Sequence, residues 1–455
     1  MVCDRQRYEV ASNLWSALQE GLMVPDSDPY KFFPESDREL EASQDITISY
    51  HFLHDRVQQA AYALIPENQQ ATTHYHIGAL LRENLPIEKQ QEQIFTLVGQ
   101  LNWGISLVSQ QQERDELARL NLVASRKAQA ATAYQAGYEY ASQGLSLLGE
   151  HAWSRQYELA LALHELATEL AALCGDGEAM ERLAGEVIAH THSLLEQTNV
   201  YRIQIQAKNS QGEFADAIAI ARKFWQQFHI TFPDNPTPDD IQRSIAEVER
   251  LLANRDIESL IDLPWMEDPE KNAIAQITNS ILSSVYRAHP SLFPLVTTLS
   301  TQLFIQYGNT AISPAAYASY SATLLDNREI DTGVRFYKLA LKLLDKTETK
   351  TAKPETLMVV GLLLFHRNAH LHETLPLLRE GYRSSLENGD LEKAGYHAQA
   401  FCCNAFWCGC YLSDLERKTR AYYHRLEQIN QSTAANYIGI YWQSVGNKSK
   451  SAPQN

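Results

Sequence analysis

Gly212-Glu213-Phe214-Ala215-Asp216-Ala217-Ile218 is the stretch whose reading decides the fold. Gly212 supplies a turn. From Phe214 onward, Ala217, Ile218, Ala221, Phe224, Trp225 and Phe228 fall on one helix face at i, i+3, i+4, i+7 spacing. An apolar stripe that wide must be covered by other helices. The same patterning runs outward from about Ile94 to Trp442, and helix–turn–helix pairs recur at roughly 34–45 residues. The spacing puts turns within pairs near residues 131, 177, 212, 290, 328, 371 and 413.

An internal echo supports repetition. Tyr140-Ala141-Ser142-Gln143-Gly144-Leu145-Ser146-Leu147-Leu148 matches Phe336-Tyr337-Lys338-Leu339-Ala340-Leu341-Lys342-Leu343-Leu344 in placing an aromatic, a small residue and Leu-x-Leu-Leu on one helix. Gly-x-aromatic-x-x-Ala at Gly212 is the tetratricopeptide-like opening of a second repeat helix, although a strict 34-residue consensus is not kept. Helix starts are marked by Thr237-Pro238, Asp268-Pro269 and Ser313-Pro314, each reading as a capping side chain before proline at the first helical position. Prolines 233, 236, 238, 264 and 269 interrupt the period around one amphipathic helix, Ile241 to Leu252.

The first ninety residues are mixed. Val10, Leu14, Ala17, Leu18 and Leu22 recur at helical spacing, then Pro25, Pro29 and Pro34 break the pattern. An acidic loop from Glu35 to Asp45 leads to a short strand at Ile46 to Phe52. Helix resumes at Arg56, with Val57, Ala60, Ala61 and Leu64 on one face, and a further helix covers Gln70 to Glu83. His54 and Asp55 stand at the strand–helix junction.

At 455 residues, 44% apolar and 21% charged, the chain has ordinary globular usage and can bury more than one core. A formal charge of −16 disfavours nonspecific DNA binding and adhesion to anionic membranes. Met1 to Arg5 contains no apolar run of a signal peptide, and Leu357 to Phe365 is too short to cross a bilayer. The expectation is a soluble, cytoplasmic protein.

Chemistry is sparse. Gly144 and Gly149 form a decoy of a phosphate loop, lacking the Lys and Ser/Thr that hold phosphate and magnesium. His54-Asp55-Arg56 only scrambles the kinase His-Arg-Asp, with no glycine-rich loop, strand lysine or Asp-Phe-Gly. His366, His370, His372 and Glu373 provide one i, i+4 histidine pair and no nameable third ligand. Cys402, Cys403, Cys408 and Cys410 crowd together without a Cys-x-x-Cys knuckle, inside a helical pattern, and read as packing. No metal, cofactor or catalytic residue is expected. His54 has two readings: a junction histidine satisfying a backbone carbonyl, or a nucleotide-state sensor donating to ADP held by a neighbouring ATPase core.

The segments Leu14–Pro25, Phe52-Leu53-His54-Asp55-Arg56-Val57-Gln58-Gln59-Ala60-Ala61-Tyr62 with its continuation to Pro66, Ile261–Glu270, Phe304–Asn309, Ile330–Gly333 and Thr356–Val360 carry a resemblance. Their order and spacing, from about residue 5 to 443, resemble bacterial multi-domain signalling kinases. These join a serine/threonine kinase, a STAND-type ATPase, helical repeats, a GAF sensor and a histidine kinase. The resemblance covers the end of the ATPase region and the helical repeats, so it implies a fragment with kinase, ATP-binding core and sensor outside it.

The expected fold is all-α: a tetratricopeptide-like helical-repeat solenoid preceded by a small winged-helix remnant. The expected modules are residues 1–90 (winged helix), 91–231 (repeats), 232–270 (proline-rich insertion), 271–445 (repeats) and 446–455 (disordered tail). The resemblance implies a non-catalytic scaffolding and regulatory role, with flanking kinase, ATPase and sensor domains as protein partners and neither nucleic acid nor membrane. Self-association is expected through uncapped ends, where Tyr437, Ile438, Ile440, Tyr441 and Trp442 have no following helix. The alternatives are an ATP-binding protein kinase activity and a stand-alone winged-helix transcriptional regulator.

Overall fold

At Gly212 the backbone turns left-handed (φ +77°), ending the helix Thr198–Gln211 just before Phe214–Gln227 begins. The Glu213 N–H donates to the Lys208 carbonyl at 2.9 Å, closing the carbonyls that the helix end leaves open. The same closure recurs in the computed structural model, which describes residues 14–25, 50–253, 255–347, 351–429 and 431–451. Ala133 donates to Ala128, Glu329 to Leu324 and Asp390 to Ser385, each at 2.9 Å, and Cys410 to Ala405 at 3.2 Å. Thr132, Arg328, Gly389 and Gly409 take positive φ at the equivalent positions. Five residues beyond the left-handed residue, Gly137, Ala217, Gly333 and Ala394 are all buried, because a larger side chain would hold the paired helices apart.

The echo between Tyr140 and Phe336 extends to hydrogen bonds. The Ser125 hydroxyl donates to the Gly137 carbonyl at 2.8 Å, and at the same offset Ser321 donates to Gly333 at 2.7 Å. These are two copies of one helical hairpin. The described chain is almost wholly helical, an all-α helical-repeat fold.

Two compact units divide at Cys174/Gly175. In the first unit, helix Gln111–Ala130 packs against Tyr134–Leu148 and Tyr157–Cys174. Its core includes Leu117, Ala118, Ala141, Leu147, Leu163 and Leu170. Asp115 is buried there and held by Arg155 at 2.8 Å, with Gln111 and Gln156 also donating. Nearer the N-terminus, Met23–Pro25 and Tyr50–Phe52 pair antiparallel, with Met23 opposite Phe52. Residues 14–19 and Asp55–Ala63 are helical on either side. The acidic loop, Val10, Pro29, Pro34 and residues 46–49 of the expected strand lie outside the described residues.

In the second unit the largest core surrounds Trp225, Phe224, Tyr317, Tyr320, Phe304 and Phe336. The segment expected as an insertion takes part in this packing. Thr237 caps Pro238–Leu252 with a reciprocal bond to Asp240, and Ile245 and Val248 are buried on the helix Phe293–Tyr307 side. The 3-10 turn Ile257–Asp262 lies against Ile330–Thr347, where Arg335 binds Asp256 and Glu258. Pro264 accepts from Asn309 N–H at 2.8 Å, and Met266 N–H donates back to Asn309 at 2.8 Å. This approach requires Gly308 (φ +106°), since any Cβ there would strike the Pro264 carbonyl.

Asp268 caps its helix as the sequence suggests, but Ser313 does not. It is already the first residue of Ser313–Asp326, buried, and its hydroxyl accepts from Thr310 N–H at 2.8 Å. The last helix runs Ser432–Ser451 through Gly446, so the polar segment read as a tail continues it; residues 452–455 lie outside the described residues. Ile438 is buried, Tyr441 donates to Cys403 Sγ at 3.1 Å and Trp442 to Glu416 at 3.0 Å. Tyr437 and Ile440 are exposed.

Candidate functional site

Helices Thr374–Glu387 and Leu412–Gln428 face each other over Leu391–Trp407, and each brings one patterned side to the space between them. The first contributes Leu375, Arg379, Tyr382 and Leu386; the second contributes Lys418, Tyr422 and Arg425. Both sets follow i, i+3, i+4 spacing, so they form continuous stripes. Phe401, 3% exposed, rises from the third helix as the floor.

A recess of about 270 Å³ at one end is walled by Leu375, Pro376, Ala405 and Leu415. It adjoins a wider cleft of about 640 Å³ lined by Tyr382, Leu386 and Tyr422. Arg379, Phe401 and Lys418 line both, so recess and cleft are one groove.

The rings are ordered by mutual packing. Tyr382 and Tyr422 meet edge to face at 5.1 Å, Phe401 lies 5.7 Å from Tyr422, and the Arg379 guanidinium sits 5.6 Å over Phe401. Burial pushes the Tyr422 hydroxyl up to about 12, keeping it a neutral donor at physiological pH. Burial also raises Tyr382, against the pull of the neighbouring Arg425.

The groove is also cationic. Arg379, Lys418 and Arg425 are exposed, and among the described residues none of them makes an ion pair. Nearby Glu380 is taken up by Lys353 and Arg383, and Asp414, at the recess end, lies 3.5 Å from Arg417. Three unneutralised cations on an acidic chain have room to engage anionic groups.

The residues singled out by sequence lie elsewhere or at the margin. His54 precedes helix Asp55–Ala63, exposed, and its side chain makes no capping bond; its carbonyl accepts from Val57 and Gln58. Gly144 is buried in helix Tyr134–Leu148 and Gly149 ends it, so neither belongs to a phosphate loop. His370 Nδ1 accepts from His372 N–H at 3.1 Å, while its own N–H donates to Glu373 at 3.1 Å, a local turn. His366 is lowered by burial, and His372 borders the recess. Cys402 is buried with its thiol raised, Cys403 accepts from Tyr441, and Cys410 borders the recess. Among the described residues no three His, Cys, Asp or Glu side chains group as a metal site would need.

Sequence reasoning missed the groove. Its signal was available in the paired spacings Arg379 to Tyr382 and Lys418 to Tyr422 to Arg425, which place cation and ring on one face. Which two helices confront each other cannot be read from spacing.

No family model matches the chain. Over 432 residues it is 22% identical to hybrid signal transduction histidine kinase G of Dictyostelium discoideum. That alignment covers 85% of this chain but only 13% of the relative's length. The similarity relates the chain to a signalling histidine kinase.

Proposed function

We propose that this chain is a non-catalytic docking and regulatory segment of a signalling kinase system, holding kinase and sensor partners through its helical repeats. The observation that carries the reading is the open cationic groove, in which Arg379, Lys418 and Arg425 make no ion pair among the described residues. The similarity to part of a hybrid histidine kinase supports the signalling context. The paired strands and helix Asp55–Ala63 are read as the end of a winged helix from a STAND-type ATPase, with His54 available to sense its nucleotide. This assigns the chain to the cytoplasm, beside serine/threonine and histidine kinase domains. No described helix is long and apolar enough to cross a membrane.

The test is calorimetric titration of the full chain with separately produced kinase, ATPase, GAF and histidine-kinase domains from the same genome, alongside ATP alone. Binding to at least one domain, with no heat from ATP, is the expected result. Stoichiometric ATP binding, or no domain binding tighter than about 1 mM, would overturn it.

A further inference from the structure

We propose that the groove between Thr374–Glu387 and Leu412–Gln428 receives an acidic, extended segment of a partner protein, anchored by one large apolar side chain. This rests on the docking function just argued and names the chemistry of the docked partner. The recess over Phe401 is large enough for a single aromatic or branched side chain, and its lining is mainly apolar; one carboxylate, Asp414, also lines it and lies 3.5 Å from Arg417. Arg379 and Lys418 border both recess and cleft, and Arg425 continues the cationic row. A segment anchored in the recess therefore lays its neighbouring residues along three cations. Carboxylates at those positions give these cations the ion-pair partners that the chain itself does not supply.

The wider charge pattern selects the class of partner. With a formal charge of −16, the chain repels long polyanions such as nucleic acid. A short acidic segment experiences mainly the local field, because charges beyond about 8–10 Å are screened at physiological salt. The aromatic floor adds a preference for an apolar anchor that a uniformly charged polymer cannot satisfy.

The probe is a short fluorescein-labelled peptide of Asp and Glu around one Phe, titrated into the full chain and followed by anisotropy. Comparison peptides replace the acids by Lys, or the Phe by Ser; a labelled single-stranded oligonucleotide is the polyanion control. Binding of the acidic Phe peptide is expected to exceed that of either comparison peptide by about tenfold and to weaken with salt. Arg379→Glu with Lys418→Glu should reduce it by at least about tenfold. Lys338→Glu with Lys342→Glu, an equal charge change on exposed positions elsewhere, should leave it unchanged.

Equal binding of the oligonucleotide or the Lys peptide overturns the inference, as does indifference to the groove double variant. The kinase-domain titrations separate the two failures. If a domain binds the wild-type chain and the groove variant equally, docking stands and this groove is not its seat. If no domain binds, the docking function itself fails.

Discussion

The imidazole of His397 occupies the space directly above Gly381, so that a Cβ added at Gly381 would collide with three ring atoms. His397 is fully buried, and its Nε2 bonds the Pro354 carbonyl at 2.9 Å. One contact thus ties helix Thr374–Glu387, helix Leu391–Trp407 and the segment before Thr356. It fixes the spacing of two helices that form the groove.

Gly381→Ala should therefore destabilise the fold by about 1–3 kcal/mol, the usual cost of overfilling a packed site. Urea unfolding of the single variant, of His397→Ala and of the double variant measures the coupling. The double variant should be more stable than the sum of the singles by about 1 kcal/mol or more, because removing the ring relieves the collision. Simple additivity would show that the helices adjust around the methyl group.

The same histidine makes stability depend on pH. Burial lowers His397 to about 4, with Asp390 and the Pro354 bond opposing and Lys393 reinforcing the shift. Between about pH 6.5 and pH 4 the unfolded chain binds a proton that the folded chain does not. Stability is then full above pH 6.5 and falls as pH is lowered through this window, by about 3 kcal/mol in all. Unfolding at stepped pH should show this decline, and His397→Gln should flatten it. An equal decline in that variant would assign the effect to other groups.

Among the ordinary residues held at positive φ, Thr132 at 59° and Arg328 at 69° close the two matching hairpins. Thr132→Gly and Arg328→Gly should each stabilise by up to about 1 kcal/mol, since the left-handed region costs L-residues roughly 1–2 kcal/mol and glycine's entropy takes back part of it. The reverse change, Gly212→Ala, should destabilise by about 1 kcal/mol through the backbone alone, because its Cβ would meet nothing within 4 Å. Thermal unfolding of the three variants tests sign as well as size.

Those turns explain what the sequence disclosed. Gly212 with Phe214 and Ala217 announces its hairpin because one residue turns, the next begins an apolar stripe and a small one admits the neighbouring helix. Thr132 and Arg328 support the same turn without glycine, so there the apolar period alone carried the signal. Proline placement correctly marked Pro238 and Pro269 as helix starts, but it could not show Ile245 and Val248 entering the shared core. Local rules also misplaced Ser313, whose hydroxyl serves Thr310 from within the helix. The groove was least legible, because Arg379 and Lys418 become neighbours only when the intervening helix is laid down.

Lys393 gives the last prediction. Its ammonium lies 2.9 Å from Asp390 and 3.4 Å from Glu355, whose side chain is only 13% exposed. Burial raises the Glu355 carboxyl, and Lys393 opposes that rise. Lys393→Met removes the opposing charge and leaves Glu355 enclosed without a cation. Loss of one partner from a fully enclosed pair costs roughly 3–5 kcal/mol; Lys393 is partly open to water, so about 2–3 kcal/mol is expected here. Relative to the unsubstituted chain, in which His397 acts equally, the variant's stability should also fall as pH rises from about 4.5, because a raised carboxyl favours the fold only while protonated. Replacing both residues, Lys393→Met with Glu355→Met, should recover most of the loss and abolish that dependence, since no buried charge remains. Urea unfolding at pH 5 and pH 8 compares the three chains. A double variant no more stable than Lys393→Met would mean that the lysine acts through its bond to Asp390, at the start of helix Leu391–Trp407, and not through Glu355.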